Sequence, residues 1–267
     1  MNRVGMATLA LLLAATAAQA KLEIQNIKAA YGPLGPERKS LEVQPFDDLL
    51  LRFTVSGLKC DDEGKMDLTE VLKLTDADGK VLLENKLPIK DVLPLGGNRM
   101  NLDARLNLGD KIPEGAYTFS ITVKDNLADE SVSFERKVTA KAPSFSIVSP
   151  EFFYDAENKV FAPAGGVVGQ KLFFRMKGVG IDKSPGKVDV EMTIQVLDAK
   201  GKEVMPKPIS VKIANEDPEV VKKANFLTLN GQVALNRAGD FTLVVRVTDK
   251  LAKKTAELAL PMKVTEP

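Results

Sequence analysis

Gly115-Ala116-Tyr117-Thr118-Phe119-Ser120-Ile121-Thr122-Val123-Lys124-Asp125 returns later in the chain as Gly239-Asp240-Phe241-Thr242-Leu243-Val244-Val245-Arg246-Val247-Thr248-Asp249, 124 positions on. Each copy opens on glycine, places an aromatic residue two positions later, alternates apolar with polar residues and closes on aspartate. A two-residue period puts one face of a strand on a core and the other in water, the habit of antiparallel sheets. Upstream, Asp76-Ala77-Asp78-Gly79-Lys80 returns as Asp198-Ala199-Lys200-Gly201-Lys202 at an offset of 122. Phe53-Thr54-Val55-Ser56-Gly57-Leu58 is echoed by Phe174-Arg175-Met176-Lys177-Gly178-Val179 at 121. Three blocks in one order at nearly constant spacing predict two copies of a unit of about 120 residues.

The rest of the chain agrees. Leu49, Leu51, Phe53 and Val55 make another apolar row at a two-residue spacing, and Val188 to Val196 alternates strictly. The Asp78-Gly79 and Lys200-Gly201 steps read as hairpin turns, and Gly35-Pro36, Gly96-Gly97, Pro185-Gly186 and Asn230-Gly231 read as further breaks. About seven strands per copy suit a two-sheet sandwich. One short helix is expected, Asp217 to Ala224, opened by Asp217-Pro218-Glu219. Gly165-Gly166-Val167-Val168-Gly169 reads as a flexible loop before a strand at Lys171 to Met176. Thr139-Ala140-Lys141-Ala142-Pro143 is a short, stiff connector, so the units are set at 21–141 and 142–267, placed end to end.

Residues 1–20 read as a secretory signal peptide: Arg3, an apolar run from Val4, and the small-x-small motif Ala18-Gln19-Ala20 before a mature start at Lys21. The apolar run is short for a membrane anchor, and Lys21 is no acceptor for a lipid. The expected product is exported, periplasmic or extracellular, with no membrane span after cleavage. Residues 21–141 carry 18 basic and 21 acidic side chains, and 142–267 carry 18 and 15. Neither half has the basic excess that neutralising phosphates demands, so nucleic acid is not an expected partner. Cys60 is the single cysteine. Hydrophobic burial, with no internal disulfide, must hold each unit. Asp61, Asp62 and Glu63 follow it and should raise its thiol pKa, which argues against a nucleophile.

The glycine, one residue, an aromatic, an alternating strand and a closing aspartate resemble the penultimate strand of immunoglobulin-like modules, at Gly115-x-Tyr117 and Gly239-x-Phe241. The resemblance covers both halves and implies an all-β fold of two tandem antiparallel immunoglobulin-like (cadherin-like) β-sandwiches, as in bacterial exported proteins that use such modules for adhesion, spacing and envelope assembly. The antibody-type cysteine pair and core tryptophan are absent, and of the two aromatics only Tyr117 carries the hydroxyl that a tyrosine corner needs. Pilus-type periplasmic chaperones also have two immunoglobulin-like domains, but none of their signatures is found here.

The chain contains no histidine. That removes Ser/His/Asp and Cys/His catalysis and histidine zinc sites. Tyr31, Phe152, Phe153 and Tyr154 are the nearest approach to a sugar-stacking platform and read better as packing. The glycine run at 165–169 lacks the lysine and the strand-to-helix context of a phosphate loop. Calcium is the one metal to weigh, at Asp61, Asp62, Glu63 and Asp67, and at Asp76 and Asp78. The second copy, however, replaces one carboxylate with Lys200, and acidic turns are usually solvated hairpins. No catalytic, cofactor-binding or metal residue is therefore assigned, and no cofactor is expected. The chain reads as a non-enzymatic, monomeric binding or structural module for an unknown protein or envelope macromolecule. A chaperone or inhibitor working through strand pairing, or an accessory domain for polysaccharide or peptide processing, are the alternatives.

Overall fold

A computed structural model describes residues 21–110, 112–184, 186–215 and 217–267. The signal-peptide reading of residues 1–20 and the break at Pro185 fall outside them. The fold is an all-β sandwich type. In the N-terminal half the strands are β1 (Glu23–Ala30), β2 (Glu42–Val43), β3 (Asp48–Ser56), β4 (Lys65–Thr75), β5 (Val81–Val92), β6 (Arg99–Asn107), β7 (Gly115–Asp125) and β8 (Glu130–Ala140). In the C-terminal half they are β9 (Ser146–Phe153), β10 (Gly165–Val167), β11 (Lys171–Val179), β12 (Val188–Asp198), β13 (Ile209–Asn215), β14 (Leu227–Ala234), β15 (Gly239–Asp249) and β16 (Lys254–Thr265), with the helix α1 (Pro218–Lys223) between β13 and β14. The sheets run β1-β3-β6 with β2-β8-β7-β4-β5, and β9-β11-β14 with β10-β16-β15-β12-β13. Adding eight to each label of the first pair gives the second.

Among the described residues each half thus has eight strands, where the alternation predicts about seven. The extra ones, β2 and β10, are too short to show a period, and each pairs in parallel with the last strand of its half. Gly165–Val167 is consequently a strand and not a flexible loop. A Cβ on Gly165 would lie 1.8 Å from the Lys263 carbonyl oxygen, so only glycine lets the backbone come that close to β16. Asn230-Gly231 likewise sits inside β14 and breaks nothing; Gly231 faces Phe174, whose ring would stand 2.2 Å from an added Cβ. The connector is shorter than expected, because Thr139 and Ala140 still belong to β8.

The pairings also correct one alignment. β3 and β11 correspond at an offset of 123, since Gly57 and Gly180 follow them with φ of 81° and 66° and both are kinked against a bulge whose residue, Asn26 or Ser149, has φ of 54° or 51°. Phe53 therefore matches Met176, not Phe174. A slip of two leaves the apolar face in phase, so alternation alone could not see it.

Two apolar clusters fill the halves. Leu49, Leu51, Phe53, Leu68, Phe119 and Ile121 are among the fully buried residues of the first, and Leu172, Phe174, Met176, Val190, Leu243 and Val245 of the second. The short helix forms as expected: Asp217 accepts from the backbone N–H groups of Glu219 and Val220, Glu219 favours its first turn and Lys222 and Lys223 its last. The tyrosine corner also forms, the Tyr117 hydroxyl donating to the Pro113 carbonyl at 2.8 Å.

The closing aspartates of the repeated stretch do something the sequence pattern did not reveal. Asp125 is fully buried; one carboxylate oxygen accepts from Lys59 N at 2.7 Å, the other from Leu127 N and Ala128 N. Asp249 repeats the set with Asp182 N at 2.7 Å, Leu251 N and Ala252 N. Each carboxylate ties the loop after one sheet's central strand to the last hairpin of the other sheet. Asp125→Ala and Asp249→Ala each orphan three donors and should each lower the unfolding free energy by about 3 kcal/mol. Denaturant titration of the two variants tests this, and unequal or negligible losses would refute the equivalence.

Glu70 breaks the symmetry. It occupies a core-facing position of β4, is 3% exposed, and one of its carboxylate oxygens has no hydrogen-bond partner among the described residues. The matching residue on β12 is the buried Met192. Burial, and then the charge of Asp103, push the Glu70 carboxyl up to about 7. Between the ordinary glutamate value and pH 7 the folded chain holds a proton that the unfolded chain has released, so stability falls as pH rises through that window, by about 3 kcal/mol. Glu70→Met should remove this decline; thermal melts from pH 5 to 8 measure it.

Candidate binding site

The two halves meet through a mostly polar joint. Ser149, the positive-φ residue of the β9 bulge, accepts from Asp48 N through its hydroxyl at 2.9 Å and donates its own N–H to the Asp47 carboxylate at 3.2 Å. Asp47 pairs with Arg38 at 2.7 Å, both side chains buried, and Arg38 also donates to the carbonyls of Ser40 and Glu42. Lys177 on β11 reaches across to the Phe46 carbonyl at 3.0 Å and the Asp48 carboxylate at 2.8 Å, with its ammonium over the Phe226 ring. Phe226 in turn packs against Phe46, ring centroids 6.0 Å apart. Glu151 takes Arg175 at 2.8 Å and Arg105 of the other half at 3.7 Å. Each charge lining the recess of about 340 Å³ between them is therefore already held in an ion pair. Burial works against the charge on Asp48, but hydrogen bonds from Lys177 and Asn107 outweigh it and hold its pKa below the ordinary range. Its contribution is full above the unfolded carboxylate value and is lost as pH falls through the lower folded one.

The opposite end of β11 serves a different purpose. Lys171, Leu172 and Phe173 pair with Ala234, Val233 and Gln232 of β14, and these three line an open pocket of about 520 Å³ at the far end of the C-terminal sandwich. Val196, Leu235, Phe241, Met262 and Val264 form its floor, Val204 and Met205 one wall, and Gln232, Asn236 and Arg237 its polar edge. Its volume falls within the range of about 300–1,000 Å³ usual for ligand sites. Arg237 lies over the Phe241 ring at 5.3 Å and has no ion-pair or hydrogen-bond partner among the described residues. Its charge acts on the Asp198 carboxylate, which already accepts from Lys200 N and Lys202 N.

None of the sequence candidates falls in this pocket. Asp61 accepts from Glu63 N and Lys65 N, and Asp76 from Asp78 N and Lys80 N, the same turn that Asp198 builds next to a lysine. Asp67 is engaged by Asn126 and Lys90. Cys60 is half-buried, and burial, then Asp125 and Asp61, raise its thiol pKa. The expected platform divides: Phe152 and Phe153 are buried, Tyr31 packs against the C-terminal core, and Tyr154 is exposed. Val204 to Pro208 and Asn236-Arg237 are the residues sequence reading missed. Their signal was available as a Pro-Lys-Pro insertion and a shortened turn relative to the first copy.

No protein-family model and no curated protein matches the chain. Among solved structures, the chain is similar to dimeric latent PorU from Porphyromonas gingivalis, with 13% identity and a TM-score of 0.37 over 97% of this chain and 22% of that one. It is also similar to the C-terminal domain of the Streptococcus pyogenes antigen I/II-family protein AspA, with 11% identity and a TM-score of 0.30 over 91% and 99%. A third likeness is to the alkylpurine DNA glycosylase AlkC of Pseudomonas fluorescens bound to DNA containing an abasic site analog, with 11% identity and a TM-score of 0.31 over 46% and 31%. The chain thus spans about a fifth of the PorU chain, and none of the three is close enough to bear on function. Among the described residues no helix is long and apolar enough to cross a membrane.

The joint is testable apart from any ligand. Asp47→Ala leaves Arg38 buried without its counter-ion and should cost about 3–5 kcal/mol, whereas Arg38→Met with Asp47→Leu should cost markedly less. Urea unfolding followed by circular dichroism gives both values; equal losses would mean that the ion pair is not what fastens Asp47.

Proposed function

We propose that this chain is an exported, non-enzymatic module of two immunoglobulin-like sandwiches related by duplication, which holds another protein of the envelope or exterior. The observation that carries the reading is the division of labour between the two ends of the C-terminal sandwich: one end is ion-paired to its neighbour, the other opens as an apolar pocket. The strand orders, the parallel β2–β8 and β10–β16 pairs and the Tyr117 corner support the immunoglobulin-like assignment. The buried Arg38, Asp47, Asp125, Ser149 and Asp249 are each committed to structural bonds, and Glu70 faces a closed core, which supports a binding and not a catalytic role. A partner that pairs with a strand edge is favoured over a sugar, because the aromatics that could stack on a sugar are mostly packed inside.

The test is direct. The protein recovered from its source should begin at Lys21 on N-terminal sequencing, and residues 21–267 as bait should retain a partner from the envelope fraction without hydrolysing peptide or polysaccharide substrates. Turnover abolished by replacing a single surface carboxylate would overturn the reading.

A further inference from the structure

The pocket exists because the two halves finish the same end differently. Asn107 and Ala234 correspond, since they pair with the corresponding Asp48 and Lys171. From there the first half takes 8 positions to reach Gly115, the second only 5 to reach Gly239. The longer turn carries Ile112, which packs on the N-terminal core, and Pro113, whose carbonyl receives the Tyr117 hydroxyl. The shorter turn has neither, and Phe241 has no hydroxyl to tie down. Tyr117 is accordingly 5% exposed while Phe241 is half-buried against open space.

A second difference adds the wall. β4 and β5 pair almost without interruption, from Thr75 with Val81 to Lys65 with Val92. β12 and β13 pair only from Ile194 with Ile209 onward, after one bridge between Leu197 and Glu203. Pro206 and Pro208 have no N–H to give the ladder, so the intervening segment bows out and brings Val204 and Met205 over the opening.

A third difference concerns what docks there. In the first half this end is the joint, where Phe46, Asp48 and Arg105 meet the C-terminal sandwich. The matching residues of the second half are Gly169, Lys171 and Gln232. Aromatic, anion and cation have all been exchanged, so a further sandwich of this kind cannot seat in the same way.

Beside the pocket lies an unusual strand edge. β14 is the outer strand of its sheet, Leu227-Thr228-Leu229-Asn230-Gly231-Gln232-Val233-Ala234, with neither charge nor proline. The other edge strands longer than three residues carry such guards: Lys28 in β1, Lys86, Pro88 and Lys90 in β5, Arg99 and Arg105 in β6, Pro150 in β9 and Lys212 in β13. An unguarded edge is the one that accepts another strand. Alternate side chains of an added strand point to one face, so residues i and i+2 can enter a pocket of this size together. Arg237 at its rim, with no ion-pair partner among the described residues, supplies attraction for a carboxylate.

We propose that β14 and the pocket beside it form a docking site for an extended, acidic peptide segment of a partner protein, which pairs its backbone with β14, sinks aliphatic side chains between Met205 and Phe241 and presents a carboxylate to Arg237. The proposal rests on the binding role argued above and names the surface and the kind of partner. The probe is a fluorescein-labelled decapeptide alternating valine with glutamate, followed by fluorescence anisotropy and by amide hydrogen exchange of the whole mature chain. Expected are saturable binding, slowed exchange within 227–234, loss of binding on backbone N-methylation of alternate peptide residues, and about tenfold weaker binding by Arg237→Gln, the factor for one charge-assisted hydrogen bond. Met205→Trp, a loop substitution that fills the opening, should abolish binding while leaving amide exchange in β11, β12 and β15 as slow as in the parent chain. Equal affinity for a valine–lysine peptide, or indifference to N-methylation, overturns the proposal. So does dodecanoate binding at Met205 and Phe241 without either peptide doing so, or protection of β14 only in a concentration-dependent dimer of the chain itself. Partner capture that survives Met205→Trp would overturn this site but leave the binding role standing, whereas turnover would overturn that role.

Discussion

Two buried carboxylates hold the architecture to a single solution. Apolar alternation tells each strand which face to bury, but it does not say how the two sheets of a sandwich are to be joined at their ends. Asp125 and Asp249 do that, each collecting three backbone donors from two separate loops. A charged group is tolerable in so dry a place only because its oxygens are fully engaged. One of the two loops that each gathers leads out of β3 or β11, and β11 supplies Arg175 and Lys177 to the joint between the halves. Order at the joint is thus tied to a buried residue at the end of β7 and of β15.

The same end of the two sandwiches has been put to opposite uses. In the first, a long turn, a hydrogen-bonded tyrosine and a set of charges close it and fasten it to the next sandwich. In the second, a short turn, a bare phenylalanine and two prolines leave it open beside an unprotected edge. Small changes of length and one missing hydroxyl are enough, because the strands beneath are fixed by the core and only their connections vary.

The fold was largely legible. Gly115 to Asp125 and its repeat gave β7 and β15 to the residue, and the Asp76 and Asp198 turns lie where their glycines placed them. What could not be read had physical reasons. β2 and β10 have too few residues for a period. The slip between Phe53 and Phe174 preserves the face of the strand. Glycines at 165 and 231 mark close approach to another group and not a break, which only the packing reveals. The buried roles of Asp47, Ser149 and Glu70 depend on neighbours far away in the chain. The pocket was half visible: Met205-Pro206-Lys207-Pro208 interrupts the repeat, but its meaning depends on the shortened turn at 235–238, which approaches it only in the folded chain.

The parallel pairs β2–β8 and β10–β16 bear on how the chain would carry tension. In each, the two strands run in one direction, so force drawn from the beginning and end of a half drives them past each other lengthwise. Their hydrogen bonds must then yield together and not one after another, as they would if a hairpin were unzipped. Each short patch is therefore a mechanical clasp, and a protein strung between an anchor and a load would resist stretching at those few residues.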